Sequence, residues 1–275
     1  MRSPIIVSIV NHKGGVLKTT TTLNLGAALA RKGKRVLLCD LDPQQNLTVS
    51  VIGRVPFDKE KPTLFDALMD ETGLDHLIRP TSTKNLDLVP SSEDFFAAEL
   101  SLAPREAREF VLRTCFAETA ALKSYDFVLI DNSPTVSLVT VNSLAASTYF
   151  LVPVSAEFLP VTGLVMLGDS IGRIQQKLAP GLLSLGVVIT LYHRSETICR
   201  RVERELEREL GKMLFRTRIR VNTKAKTAPS VTKTIFEYED SPQGRGTEDY
   251  TELGDEFLAR VASFEVITQE RAVNG

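Results

Sequence analysis

The stretch from residue 5 to residue 22 constrains the fold of this chain more than any other part of it. Ile5 to Val10 is a short apolar run rich in β-branched residues, which is typical of a buried parallel strand. Two glycines follow, then Lys18, four threonines and an apolar pattern with helical spacing. In a strand, glycine loop and helix of this kind, loop N–H groups and the helix N-terminus face an anion that a lysine neutralises. The stretch therefore predicts a phosphate-binding loop, with a threonine hydroxyl that reaches Mg²⁺.

The loop departs from the strict G-x-x-x-x-G-K-[ST] pattern, because His12 and Leu17 stand where that pattern has glycine. It fits a form with two lysines, Lys-Gly-Gly-x-x-Lys-Thr-Thr, in which Lys13 precedes Lys18. This loop resembles that of the ParA/MinD/nitrogenase-iron-protein class of ATPases in all but Leu17. If residue 17 has helical dihedral angles, leucine fits with its side chain turned away from the nucleotide. A polar connection without a ligand is the alternative.

Two further segments place carboxylates at the ends of predicted strands. The strand Val36 to Asp40 continues as Asp-Leu-Asp-Pro-Gln-Gln-Asn, which resembles the "D-x-D-P-Q-x-N" segment of ParA/Soj ATPases. The apolar run from Tyr125 ends in Asp131, as a Walker B strand does. The carboxyl ends of parallel strands form the edge where open α/β sheets bind ligands. The alternatives are that Asp40 and Asp42 only cap a turn and that Asp131 only caps a core strand.

The resemblance to the ParA/Soj family implies roles for these side chains. The predicted catalytic residues are Lys13, which would reach the partner subunit's phosphates in an ATP-sandwich dimer, Lys18, and Asp42, which would position the attacking water. The predicted ligands of Mg²⁺ are Thr19, Asp42 and Asp131. The predicted nucleotide-binding residues share the loop, the helix start and one distal segment: Lys13, Gly14, Gly15, Val16, Leu17, Lys18, Thr19, Thr20 and Asn222.

Asn222 belongs to a stretch from Arg220 to Ser230 that resembles the family's "P-R-N-x-x-x-x-E-A-P-S". In relatives this stretch packs on the adenine, and its asparagine hydrogen-bonds the base. The proline and the glutamate of that pattern are replaced here by Arg220 and Thr227. We therefore expect Asn222 to bind the adenine.

Strands alternate with helical patterns along the chain, which predicts an α/β fold: a single doubly wound, mainly parallel sheet flanked by helices. We expect residues 1–275 to form a single ParA-like ATPase domain. Apolar residues at helical spacing predict one long amphipathic helix from Glu93 to Phe116, and another from Thr247 to Val266.

Composition limits the partners and the location. The net charge is −1, so nucleic-acid binding must come from a local patch. No apolar run reaches the roughly 18 residues of a membrane span, and the N-terminus runs into a strand without room for a signal peptide. Three widely spaced cysteines indicate buried thiols in a reducing compartment. We expect a cytoplasmic, nucleoid-associated protein that does not bind a membrane.

The predicted DNA-binding patch lies on a helix over residues 195–210 and on the segment after it. Residues 193–226 hold eleven Lys or Arg residues against five Glu residues, a local charge of +6. Cys199, Val202 and Leu206 mark the apolar side of the helix. A solvated face of Arg–Glu pairs is the alternative. The predicted DNA contacts are Arg200, Arg201, Arg204, Arg208, Lys224 and Lys226.

The resemblance implies an ATPase that uses ATP and Mg²⁺ and positions DNA or another cargo. Its ATP-bound homodimer would bind DNA non-specifically, and a ParB-like or cargo-adaptor protein would stimulate hydrolysis. A nucleotide-binding regulator with little turnover is an alternative that Leu17 favours. A MinD-like positioning ATPase is a second alternative, and it would need a C-terminal amphipathic helix with a basic face. Residues 251–275 disfavour it, because their acidic residues outnumber their two arginines. A nitrogenase-type reductase lacks the cysteine spacing for a cluster, and a metabolic P-loop ligase or kinase lacks recognisable substrate residues.

Overall fold

The computed structural model describes residues 3–53, 62–156 and 161–274. This part of the chain forms a sheet whose strands are β1 (Ile5–Ile9), β2 (Val36–Asp40), β3 (Arg79–Pro80), β4 (Leu86–Val89), β5 (Phe127–Asp131), β6 (Tyr149–Ser155), β7 (Leu183–Tyr192) and β8 (Leu214–Arg220). The eight strands lie in the order β3-β4-β2-β5-β1-β6-β7-β8. Neighbouring strands are parallel except β3 and β4, which are antiparallel. The predicted mainly parallel α/β sheet is confirmed.

Helices connect the strands and cover the sheet. They are α1 (Lys18–Arg31), α2 (Asn46–Ile52), α3 (Leu64–Asp70), α4 (Ala98–Leu102), α5 (Val111–Glu118), α6 (Leu138–Ala145), α7 (Val161–Lys177), α8 (Thr197–Leu210), α9 (Thr223–Thr227), α10 (Ile235–Glu239) and α11 (Arg245–Asn274). Within the described residues, no helix has the length and apolar character that crossing a membrane requires.

The sheet is buried on both faces, which explains its continuous apolar strands. In β2, Val36 and Leu38 join the cluster that packs under α1 and α11, whereas Leu37 and Cys39 join the cluster under α3 and α5. Side chains of α7 and α8 pack on β6 and β7 in a third cluster. The alternation of side chains along each strand therefore supplies two cores from one run of apolar residues.

The predicted single helix from Glu93 to Phe116 is wrong. A 3₁₀ turn over Glu93–Ala97 leads into α4, and α5 begins only at Val111. Pro104 lacks the N–H that a helix interior needs, and Ala107 has φ 48°, which a right-handed helix does not accommodate. Arg105 stabilises the break by donating from its guanidinium to the carbonyl of Leu68 (3.0 Å). Local apolar spacing thus overstated the length of the helix.

The order of the central strands brings the predicted site together. In the register of the sheet, Asp40 of β2 lies beside Asp131 of β5, which lies beside Ile9 of β1. The loop from β1 to α1 follows directly. Two strand-end carboxylates and the glycine loop therefore occupy one edge of the sheet, where open α/β sheets bind ligands.

Candidate functional site

The loop between β1 and α1 is held in place by buried hydrogen bonds. The side-chain amide of Asn11 donates to the carbonyl of Pro153 (2.7 Å), and the hydroxyl of Thr190 donates to the carbonyl of Val16 (3.0 Å). The side chain of Val16, which belongs to the loop, is consequently buried. Gly15 has φ +75°, a conformation that favours glycine. Hydrogen bonds to β6 and β7 thus hold the loop in this conformation.

The start of α1 presents unpaired N–H groups. In the described part of the chain, the N–H groups of Lys18, Thr19 and Thr20 have no hydrogen-bond acceptor, and the first bond runs from Thr21 to the carbonyl of Leu17 (2.8 Å). The Lys18 ammonium curls back to donate to the carbonyl of Lys13 (3.1 Å). Burial lowers the pKa of Lys18, although Asp131 and Asp42 oppose that effect. Helix N–H groups beside a buried cation form an anion-binding site.

Leu17 occupies the N-cap of α1 in the left-handed conformation, with φ 62° and ψ 33°. This conformation costs a non-glycine residue about 1–2 kcal/mol. A leucine side chain also has no oxygen that could cap the helix, so the first N–H groups stay available. The expectation that the side chain turns away from the nucleotide assumed helical dihedral angles at residue 17, and the left-handed conformation does not meet that condition. Leu17 is half-buried against the core, and it also lines the cavity described below.

Replacing Leu17 by glycine should raise the affinity for ATP·Mg²⁺, the turnover, or both. Glycine removes the left-handed strain and opens the wall of the cavity. Titration calorimetry and a steady-state phosphate-release assay measure the two quantities. Leu17→Ala is the matched control, because it shortens the side chain but keeps the Cβ. A fall in both affinity and turnover in Leu17→Gly would show that leucine has another role.

Asp131 forms the floor of the site below the loop. Its carboxylate accepts hydrogen bonds from the hydroxyls of Thr19 (2.7 Å) and Thr22 (3.3 Å). The side chain is fully buried, and this burial, with the nearby charge of Asp40, raises the pKa of the Asp131 carboxyl. The hydroxyl of Thr19 and the Lys18 ammonium oppose the rise. Asp131 therefore accepts hydrogen bonds from the start of α1, and its role as a ligand of Mg²⁺ stays a prediction.

Asp40 and Asp42 both fold the turn after β2. Asp40 accepts the N–H of Asp42 (3.0 Å) and both the N–H (2.8 Å) and the hydroxyl (2.7 Å) of Thr48. One oxygen of Asp42 accepts the N–H of Gln44 (2.9 Å). Both residues thus cap the turn, as the alternative interpretation predicted. Asp42 also faces the cavity, and its second oxygen has no protein donor among the residues that the structure covers.

The side chains at this edge suit Mg²⁺. The carboxylates of Asp42 and Asp131 lie near the buried Lys18 ammonium, and Asp40 is the neighbour of Asp131 in the sheet. Burial raises the pKa of the Asp40 and Asp131 carboxyls, and a divalent cation would offset that cost. Among the described residues, no three His, Cys, Asp or Glu side chains form a complete metal site. Mg²⁺ typically takes one or two protein ligands and completes its shell with water and phosphate, and the oxygens of Thr19, Asp42 and Asp131 are of the type it binds.

The cavity above Asp131 has a volume of about 600 Å³. Another cavity, beside β8, has a volume of about 700 Å³. The predicted residues on the wall of the smaller cavity come from the loop, from α1 and from the turn after β2: Gly14, Gly15, Leu17, Lys18, Thr19, Thr20 and Asp42. The other lining residues were not among the predicted site residues: Gln44, Asn46, Val49, Ser50, Pro134, Pro229 and Ser230. Gln44 and Asn46 belong to the "D-x-D-P-Q-x-N" segment, and Pro229 and Ser230 belong to the stretch from Arg220 to Ser230, so these two resemblances were the available signals.

Four predicted residues do not line this wall: Lys13, Val16, Asp131 and Asn222. Lys13 is exposed beside the loop, and its N–H is fixed by the side chain of Asn11 (3.0 Å). Asn222 caps α9 by accepting the N–H of Lys224 (2.9 Å), and its amide donates to Glu239 (2.9 Å). Pro229, seven positions later, reaches the cavity instead. A contact between Asn222 and the adenine therefore stays a prediction.

The basic face of α8 forms as predicted. Cys199, Val202 and Leu206 are buried, and the predicted DNA contacts are exposed: Arg200, Arg201, Arg204, Arg208, Lys224 and Lys226. The charge count overstated the available cations. Arg218 pairs with Glu203 (2.8 Å), and Arg220 pairs with Asp249. The solvated-face alternative also has support at one position, where Arg208 pairs with Glu209 (2.8 Å).

The larger cleft, beside β8, is less suited to a ligand. Its two principal charged side chains already bond the protein. Glu256 accepts the N–H groups of Arg216 and Thr217 (2.9 Å each), and Arg260 donates to the carbonyl of Leu214 (2.7 Å). We therefore take the cavity between the loop and Asp42 as the functional site.

Comparisons with known proteins show the family of the chain. A family model described as an AAA domain matches residues 4–183. The chain is 37% identical to the sporulation initiation inhibitor protein Soj of Bacillus subtilis, covering 92% of this chain and 98% of that protein. It is 35% identical to the chromosome partitioning protein ParA of Myxococcus xanthus, covering 93% and 88%. The structure of cobyrinic acid a,c-diamide synthase from Mycobacterium smegmatis with bound ADP and magnesium is 30% identical, covers 94% and 96%, and has a TM-score of 0.80.

Proposed function

The chain belongs to the Soj/ParA family of partition ATPases, and from that premise we propose that it binds ATP with Mg²⁺ and hydrolyses it to position DNA or another cargo. One observation carries the proposal: the unpaired N–H groups of α1, the Lys18 ammonium and the Asp42 carboxylate all face one cavity. The ADP and magnesium bound to the M. smegmatis neighbour support the same ligand class. In this proposal residues 1–275 act as one ATPase domain.

The phosphates bind where positive charge and N–H donors meet. Lys18 and the first N–H groups of α1 contact the β- and γ-phosphate oxygens, as helix N-termini bind anions generally. Thr19, Asp42 and Asp131 hold Mg²⁺, directly or through water, and the ion supplies positive charge that neutralises the triphosphate. The base extends towards Pro229 and Ser230, with Asn222 as its candidate hydrogen-bonding residue.

Hydrolysis proceeds by in-line attack of water on the γ-phosphorus. The water oxygen forms a bond to phosphorus as the bond to the bridging oxygen breaks, which yields ADP and inorganic phosphate. The second oxygen of Asp42 orients this water, because it faces the cavity without a protein donor in the described structure. Lys18 stabilises the charge that moves to the bridging oxygen.

We place Lys13 in a homodimer. Lys13 is an exposed residue of the loop, and in this proposal its ammonium binds the phosphates of a second copy. Lys13→Ala should bind ATP but fail to form a stable ATP-dependent dimer. Light scattering with and without ATP measures the dimer, and calorimetry measures binding.

Lys233→Ala, which removes an exposed lysine from another segment, is the control. It should dimerise like the wild type. A normal ATP-dependent dimer of Lys13→Ala would refute the role in the partner subunit.

The ATP-bound dimer binds DNA non-specifically through the basic face of α8 and through α9, which places the protein on the nucleoid. A monomer offers one such face and a dimer offers two, so affinity should depend on ATP. α9 ends shortly before Pro229 and Ser230, which line the cavity. The proposed DNA-binding segment and the nucleotide site are therefore adjacent in the chain. A ParB-like or cargo-adaptor protein stimulates hydrolysis and thereby releases the DNA.

Arg200→Ala/Arg204→Ala should weaken DNA binding with ATP and flatten its salt dependence. Each lost phosphate contact lowers the slope of log K against log salt by about 0.9. Fluorescence anisotropy across a salt series measures both. Arg113→Ala/Arg173→Ala removes two exposed arginines of α5 and α7 and is the matched control. Wild-type affinity and slope in the α8 variant would leave the arginines as a solvated face.

A nucleotide-binding regulator with little turnover is the second candidate, because Leu17 occupies a left-handed position in the phosphate loop. It predicts tight ATP binding with hydrolysis that stays near zero in the presence of DNA. Phosphate release under those conditions separates it from the partition ATPase.

A further inference from the structure

Asn24 is a buried polar residue in the middle of α1, with an exposed fraction of 2%. Asparagine is a weak helix former, and a buried amide costs free energy unless it is hydrogen-bonded. Both ends of this amide have a partner. Its Nδ2 group donates to the carbonyl of Thr20 (2.9 Å), and its Oδ1 atom accepts the N–H of Ile235 (2.8 Å). Asn24 therefore joins α1 to the first residue of α10.

The two partners of Asn24 lead to two walls of the candidate site. Thr20 lies on the cavity wall in the first turn of α1, among the unpaired N–H groups that we propose to bind phosphate. Ile235 follows Pro229 and Ser230, which line the same cavity. Backbone hydrogen bonds of 3.1 Å close the turns of this short connection. The bond from Ile235 to Asn24 thus holds the second wall at a fixed place along α1.

The position of Asn24 suits a spacer between two parts of a nucleotide. Asn24 lies six residues after Lys18, which is about 9 Å along a helix that rises about 1.5 Å per residue. In the proposed function the phosphates bind at the start of α1, and the base extends towards Pro229 and Ser230. A ligand that occupies two subsites gains affinity from the second only if the spacing of the subsites matches its own length.

We infer that Asn24 is a positioning residue for ATP: it sets the distance between the phosphate-binding start of α1 and the base-binding wall at Pro229 and Ser230. This inference rests on the proposed function and deepens it. Asn24 acts through Ile235, and its amide supplies both the donor and the acceptor that the two bonds require. Without the bond to Ile235 the base wall can shift relative to the phosphates, so the base adds less to the affinity.

The test compares ATP·Mg²⁺ with inorganic tripolyphosphate and Mg²⁺, which occupies the phosphate site alone. Asn24→Ala should weaken ATP binding about tenfold or more and leave the tripolyphosphate affinity within about twofold of the wild type. Titration calorimetry measures both affinities. In steady-state hydrolysis the KM for ATP should rise with little change in kcat, because contacts to the base are equal in the ground state and the transition state.

Asn142 of α6 offers a matched control. Its amide also donates to the carbonyl four residues before it, that of Leu138 (3.0 Å), and also accepts an N–H of another segment, that of Leu112 (3.1 Å). Asn142 is likewise buried, and it is not one of the described residues that line the cavity. Asn142→Ala should therefore lower the melting temperature as Asn24→Ala does, and it should keep the wild-type ratio of ATP affinity to tripolyphosphate affinity.

A second pair of variants removes the other partner of the bond, and it serves if Asn24→Ala does not fold. Ile235→Pro deletes the N–H that Asn24 accepts, and the first position of a helix tolerates proline. Ile235→Ala also shortens the buried side chain but keeps the N–H, so it is the control. The ratio of ATP affinity to tripolyphosphate affinity should fall in Ile235→Pro by about tenfold relative to Ile235→Ala.

The positioning role is refuted if Asn24→Ala weakens the binding of both ligands equally, or of neither. It is also refuted if Asn142→Ala lowers the ratio of the two affinities as much, because the cause is then general destabilisation. A wild type that binds tripolyphosphate as tightly as ATP would refute it too, because the base would add nothing to the affinity. A wild type that binds neither ligand would instead refute the proposed function.

Discussion

Replacement of Lys18 by alanine is expected to abolish binding of ATP·Mg²⁺. Lys18 carries the one buried ammonium that faces Asp42 and Asp131, and it stands beside the unpaired N–H groups of α1. Removing one partner of a buried charge pair at a binding site costs about 2–5 kcal/mol, which is a factor of about 30 to 5,000 in affinity. Titration calorimetry with ATP·Mg²⁺ measures the loss.

The variant should remain folded, which keeps the test informative. The Lys18 ammonium lowers the pKa of the Asp131 carboxyl, so its loss raises that pKa further. A protonated Asp131 is then less costly to bury than an isolated carboxylate. Thermal unfolding checks the fold, and Lys177→Ala, at the exposed end of α7, is the control for charge. Unchanged ATP affinity in Lys18→Ala would remove the central claim.

Replacement of Asp42 by alanine is expected to slow hydrolysis strongly while ATP binding and dimerisation persist. A positioned group that orients or activates water contributes about 10²–10⁴-fold to the rate. Thr19 and Asp131 remain to hold Mg²⁺, and the loss of a negative charge beside the phosphates offsets the loss of one ligand, so ATP binding should persist. Single-turnover phosphate release measures the rate apart from nucleotide binding and exchange.

Asp42 also caps the turn, and the control must separate the two roles. Asp42→Asn keeps an oxygen that can accept the N–H of Gln44 but removes the charge. If Asp42 acts on water, Asp42→Asn and Asp42→Ala should be similarly slow. If only Asp42→Ala is impaired, the turn is what matters. A rate in Asp42→Ala within a factor of about two of the wild type would reduce Asp42 to a turn residue.

Some expectations from the sequence failed where distant residues compete for the backbone. Apolar spacing predicted one helix over Glu93–Phe116, but Pro104 ends α4, and the guanidinium of Arg105 bonds the carbonyl of Leu68. The two-residue strand β3 has no apolar run that would predict it. It lies at the edge of the sheet and pairs with β4 alone. The charge of the basic segment was overcounted, since Arg220 is paired with Asp249 from α11.

The sequence by itself determined the sheet, the phosphate loop and the family. Continuous apolar runs specify strands that are buried on both faces, and the order Gly-Gly, Lys18, Thr19 specifies an anion site at a helix start. These features depend on residues that are close together in the chain. The chain is 37% identical to Soj over 254 residues.

The tertiary structure decided which groups meet. Asp40 and Asp131 become neighbours only because β2 and β5 pair, and the Thr190 hydroxyl fixes the loop from 174 positions away. Leu17 adopts a left-handed conformation that its own preferences oppose, because the loop and α1 around it require that geometry. Contacts between residues far apart in the chain leave no local pattern in the sequence. They are therefore found only in the folded structure.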